Sequence, residues 1–186
     1  ILDHKMILGY WDSLDENVYL PLLDSVKLGL SEDFLTLRLA YTKTKEYQPY
    51  DTMEKDYQSG CVAKIKLGEF AEAAKIIDSL LEKNYVDMYS HFLKSYALSE
   101  LKDTAKAIFH MGIYEGLIKS ILISGDGMTP KTAMLVIDTS EEYTLLNAYD
   151  MTFKGQSLIS DEEFKYDKLQ VVNPSSEKEM DLYFNI

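Results

Sequence analysis

Cysteine, histidine and basic residues are all scarce in this chain, and each shortage excludes something. The single cysteine, Cys61, rules out an intramolecular disulfide, so cysteine usage leaves the redox compartment open. The three histidines, His4, His91 and His110, stand apart, with no H-E-x-x-H or C-x-x-C spacing that would hold a metal. Lysine and arginine number 19 against 31 acidic residues, a net charge of -12. The first 123 residues hold 14 basic and 19 acidic side chains, and the last 63 hold 5 and 12. Both regions repel phosphate backbones, and no basic stripe with interleaved aromatics offsets this, so nucleic acid is not an expected partner. No apolar run approaches the roughly 18 residues needed to span a bilayer. The sequence starts at Ile1 rather than methionine, so a leader preceding Ile1 would make the protein periplasmic or secreted.

What is present is mostly helical punctuation. Pro21 suits the first turn of a helix, and "PLLDSVKLG" ends at Gly29, a left-handed stop. Ser31 can cap the next helix, and after Pro49 so can Thr52. From Met53 to Asn84 the pattern is two helices broken at Leu67-Gly68. A second pair follows, broken near Lys102-Asp103. A shift of 34 residues aligns the pairs: Tyr57 with His91, Cys61 with Ser95, Leu67 with Leu101 and Ala73 with Ala107. This period and its small residues resemble the tetratricopeptide repeat. "KLGEFAEAAKII" places Gly68, Phe70 and Ala73 in the turn, aromatic and alanine slots. The second unit has Lys102 for the glycine and Thr104 for the aromatic, and residues 17–46 do not share the register.

After Ile123 the period changes. "AMLVID" reads as a strand, "EEYTLLNAY" as a short capped helix, and "FKGQSLIS", "FKYDKLQVV" and "EMDLYFNI" as three further strands, with Asn173 to Ser176 a turn. The expected fold is therefore α+β. Residues 1–123 form a tetratricopeptide-repeat-like antiparallel helical array, capped by a small antiparallel sheet with one helix over residues 124–186.

The densest turn signal is "ISGDGMTPKTAMLVID". A phosphate cradle needs a strand before and a helix after the glycines, and here the order is reversed. Asp126 is expected to bond nearby backbone N–H groups, and it is also the polar residue through which this loop would meet a ligand. Cys61 could meet His91 across stacked repeats, but its slot suits a small buried group better than a nucleophile. Ser157 in "GQSLI" lacks the second glycine of a nucleophile elbow. Glu141 and Glu142 fit the first turn of a helix, where the dipole favours acids, and Asp161-Glu162-Glu163 reads as a solvated run. Gly112 and Gly116 form G-x-x-x-G, read as a site of close internal packing.

Fourteen tyrosines remain, several in "YTKTKEYQPYDTMEKDY", and these suit both half-buried helix faces and recognition grooves. Tyr47, Tyr50 and Tyr57, with Asp126, are the candidate binding residues. No catalytic set, metal or cofactor is expected. The reading is a non-catalytic module for a protein or peptide partner; the rivals are a hydrolase with a site near Asp126 and an envelope-associated accessory protein.

Several motifs run in order from about Tyr19 to Ile186: "YLPLL", "LRLAYTKTKEYQPY", "SGDGMTPKTAMLVI", "EEYTLLNAY", "GQSLI", "YDKLQVV" and "LYFNI". In these the chain resembles a bacterial family known only as a domain of unknown function. That resemblance implies a helical-repeat-like front, a small β-rich end and, in many members, an export signal. It carries no activity. The family's double tyrosine is here Ala40-Tyr41.

Overall fold

The computed structural model describes residues 4–49, 52–160 and 164–185, and the side chains of all of these except 4 and 52–57. The chain divides into two compact units. One is Asp15–Leu117; the other comprises residues up to Leu14 and from Ile118 onward. Among the described residues no helix is long and apolar enough to cross a membrane.

The first unit is helical. It holds α2 (Glu16–Lys27), α3 (Phe34–Tyr41), α4 (Thr52–Lys66), α5 (Phe70–Lys83), α6 (Met88–Glu100) and most of α7 (Thr104–Leu122). Consecutive helices pack as α2 on α3, α4 on α5 and α5 on α6. Asp15 caps α2 by accepting from the Asn17 N–H, so the helix starts earlier than Pro21 suggests. Pro21 therefore sits inside the helix, where it leaves the Asn17 carbonyl without its usual donor. The α3 cap is Asp33, bonded to the Thr36 N–H, while the Ser31 hydroxyl accepts from Asp33 N one step upstream.

Three helices stop in the same way. Gly29 takes φ +69, with Leu30 N bonded to Ser25 O and Gly29 N to Val26 O. Gly68 and Lys102 repeat this left-handed stop at φ +76 and +64, with the same pair of bonds to the preceding turn. Gly68 and Lys102 are 34 residues apart. So are the crossing contacts: the Cys61 thiol points to Ala73 O at 3.9 Å, and the Ser95 hydroxyl donates to Ala107 O at 2.8 Å. Gly116 lies against the Phe34 ring, which occupies the space a Cβ would need.

The second unit holds α1 (His4–Ser13), the last turn of α7, α8 (Thr139–Ala148) and a four-stranded sheet. Its strands are β1 (Met134–Leu135), β2 (Thr152–Ser160), β3 (Lys165–Asn173) and β4 (Lys178–Asn185), in the order β1-β4-β3-β2. β2, β3 and β4 are antiparallel, but β1 runs parallel to β4 and pairs through two residues only. The sheet is thus mixed rather than wholly antiparallel. Residues 133–137 are all buried, so the "AMLVID" run fills the core and little of it joins the ladder. Leu135, Leu169, Val171 and Phe184 are fully buried and centre this core. β2 is the exposed edge, and a register shift at Phe153/Gly155 with Lys154 between them disfavours further strand pairing there.

Candidate functional site

The glycine loop fixes one wall of a cavity in the second unit. Ser124, nearly inaccessible to solvent, donates to Ile121 O at 2.6 Å and accepts from Leu135 N at 2.8 Å. It therefore ties the end of α7 to β1. A side chain on Gly125 would meet the carbonyl oxygens of Thr132 and Ala133. Gly127, at φ +67, donates to Thr132 O and accepts from Tyr183 N, both at 2.8 Å. Asp126 is exposed, and its carboxylate accepts from the Met128 N–H at 3.0 Å. The Thr132 hydroxyl and this N–H together hold its carboxyl below the usual range. The loop is a joint whose own backbone Asp126 stabilises.

Beside it lies a cavity of about 170 Å³. Four methionines line it: Met128, Met134, Met151 and Met180. Leucines from α7, α8 and β4 complete the apolar wall, and Asp126 and Tyr149 supply its polar groups. From α8 and its C-cap the lining residues are Leu145, Leu146 and Tyr149.

Glu142 stands one turn before them on the same helix. It is fully buried, and among the described residues neither carboxyl oxygen has a hydrogen-bond partner. Burial pushes its pKa up to about 9, and the negative charges of Asp167, Asp138 and Glu141 add to the effect. The Asp167 carboxyl on β3 is the charge that acts on it most strongly, but their approach falls short of regular hydrogen-bond geometry. The expectation that both Glu141 and Glu142 are ordinary first-turn acids holds for one of them. Glu141 accepts from the Ile137 N–H at 2.9 Å, whereas Glu142 turns inward and is protonated at neutral pH.

The helical unit has a different buried polar set. His91 Nε2 lies 2.8 Å from Tyr85 O, and His91 Nδ1 lies 2.9 Å from His110 Nδ1. Burial lowers the His91 pKa to about 3; burial and the Lys94 charge lower that of His110 to about 4. Both rings are therefore neutral, which fixes their tautomers. A carbonyl only accepts, so His91 carries its proton on Nε2, and His110 then donates from Nδ1. Lys94, also buried, donates to Ala74 O at 2.8 Å and to Asp78 Oδ1 at 2.7 Å. Asp87 caps α6 through Tyr89 N and Ser90 N and accepts from Gln58 Nε2.

Of the sequence-derived candidates, Tyr47 and Asp126 belong to different units. Tyr47 is half-buried in the helical unit, edge-on to Tyr41 at 5.7 Å. Tyr50 and the Tyr57 side chain lie outside the described residues, as do Asp161 to Glu163. Asp126 borders the methionine-lined cavity. Tyr19, Tyr41 and Tyr85 are core residues, so much of the tyrosine content serves packing. Cys61 is fully buried, with a thiol that burial pushes up to about 11, and His91 is occupied by His110 and Tyr85. A thiol so placed is inert. Sequence reasoning missed the His91–His110 pair, which joins two helices, and the inward turn of Glu142. The second was readable: Glu142 precedes Leu145 and Leu146 by three and four residues, the spacing of one helical face. Among the described residues no group of three or more His, Cys, Asp or Glu could hold a metal ion.

No curated protein and no solved structure matches the chain. A family model matches residues 24–186, which places nearly the whole sequence in one family. The chain belongs to the domain of unknown function family DUF4919.

Proposed function

We propose that this protein is a non-catalytic binding module that takes an apolar side chain of a protein or peptide partner into the methionine-lined cavity. The cavity itself is the observation that carries this reading. At about 170 Å³ it slightly exceeds the ~150 Å³ apolar cavity known to hold benzene, so one large side chain fits. Methionine side chains are flexible and polarizable and adapt to varied apolar partners. The exposed carboxylate of Asp126 and the acidic balance of residues 124–186 favour a basic residue next to the inserted group.

The hydrolase reading needs a nucleophile and a base within reach of one another, and the cavity wall offers only Asp126 and Tyr149 as ionisable groups. Binding is therefore the better account. We also read the helical unit as tetratricopeptide-repeat-like, supported by the 34-residue recurrence of its stops and crossing contacts. In that reading Tyr47, Tyr50 and Tyr57 are secondary partner contacts.

The test is a titration of the intact chain, labelled at its methionine methyl groups, with N-acetyl-phenylalaninamide at pH 7. The expected result is saturable movement of the Met128, Met134, Met151 and Met180 signals, with the other methionines still. Signals that stay fixed at millimolar probe would overturn the proposal.

A further inference from the structure

We propose that Glu142 and Asp167 form a proton-held latch that sets the α8 wall of the methionine-lined cavity. The cavity's role in binding is the reading given above, and the latch is an addition to it. Buried polar groups without partners are rare, and each calls for an explanation. Here both oxygens of a fully buried carboxyl lack one. The groups acting on Glu142 among the described residues are all acids. Asp138 is committed to the Ser140 N–H and Glu141 to the Ile137 N–H. Asp167, on β3, is itself buried. From the same helix Tyr143 turns to β2, where its hydroxyl donates to Gln156; burial first, and then the charges of Glu142 and Asp167, raise its pKa. Nothing cationic in this set can neutralise a second negative charge.

The occupant that resolves the site is a proton on Glu142. While it stays, α8 can lie close to β3. When it leaves, two carboxylates face each other in an apolar surround, and either α8 shifts or water enters. The helix cannot shift locally without consequence, because Leu145, Leu146 and Tyr149 follow Glu142 at three, four and seven residues, on the same face. Those three residues are the α8 part of the cavity wall.

Carbon-13 labelling of glutamate carboxyls and methionine methyls in the intact chain tests this between pH 6 and 10. One glutamate carboxyl signal is expected to titrate with a midpoint near 9, and to be missing in Glu142→Gln. The Met134, Met151 and Met180 methyls are expected to shift with the same midpoint, and to stay still in Glu142→Gln. Asp167→Asn provides a second variant and is expected to lower the Glu142 midpoint. If no glutamate carboxyl titrates above pH 7, the latch is wrong. If one titrates while the methyls remain still, its control of the cavity is wrong. Neither result touches binding, which the probe titration at pH 7 reads separately.

Discussion

The helical unit buries a histidine pair and the sheet unit a glutamate without a partner, and these groups answer pH in opposite directions. His91 and His110 have pKa values lowered in the fold. Their neutral forms are favoured, so their contribution is complete above the unfolded value of about 6.5. It is lost as acid protonates the unfolded chain, down toward the folded values. Glu142 has a raised pKa, so its contribution is complete below about 4.5 and is lost as pH climbs toward 9. Each such group tilts stability by about 1.4 kcal/mol per pH unit inside its window. Asp87 is the acid of the helical unit, and burial raises it too. The difference is its bonding: Asp87 accepts three hydrogen bonds and Glu142 none. Burial of a carboxyl thus has opposite structural meanings in the two units, a cap in one and an unsatisfied charge site in the other.

The comparison can be broken from either side. The largest effect is expected for His91→Ala, which opens a cavity and strands both the Tyr85 carbonyl and the His110 N–H. A loss of about 3 kcal/mol should appear in urea unfolding at pH 7. The decline between pH 6.5 and 5 should also flatten. Glu142→Gln should act the other way, removing the cost of keeping a carboxyl neutral. A gain of about 2 kcal/mol at pH 8, with no further fall toward pH 9, is expected in the same assay. An unchanged alkaline slope would mean the sheet unit's acid is paired after all.

Smaller effects are expected at two turns, one in each unit. Asp126→Ala removes the acceptor for the Met128 N–H and the Thr132 hydroxyl, and should lower the melting temperature by a few degrees. Lys102→Gly should do the reverse. It relieves a left-handed lysine at the stop where the preceding repeat has Gly68, and should add about 0.5–1 kcal/mol. A destabilised Lys102→Gly would show that the lysine side chain holds the turn by contacts of its own.

Much of this architecture was legible because local rules and tertiary packing agree. Gly29 and Gly68 stop helices where left-handed geometry is needed, and a turn after Asn173 joins β3 to β4. The 34-residue shift that aligned Cys61 with Ser95 and Ala73 with Ala107 also relates their crossing contacts. Lys102 was harder, because hydrogen bonds to the preceding turn impose the left-handed conformation on a residue that does not favour it. Pro21 misled because a cap at Asp15 outweighs the position proline prefers. The candidate site divided in the same way. Asp126 stood out as a turn residue, but the four methionines beside it come from four separate places in the fold, two on strands and two in connections, and share no sequence pattern. The His91–His110 pair joins residues 19 apart, and periodicity along one helix says nothing about a neighbour's side chain.

The placing of β4 also bears on the order of assembly. This strand lies between β1 and β3, although it follows both in the chain. As the polypeptide leaves the ribosome, β2 and β3 can pair as a hairpin while β1 and the Gly127 turn still lack their partner. The Tyr183 N–H that bonds Gly127 and the Phe184 side chain that fills the core both belong to β4, which follows β1, β2 and β3 in the chain. Until β4 pairs, Met134, Leu135 and Leu169 lack the strand that lies between theirs, so closure of the sheet unit waits on β4.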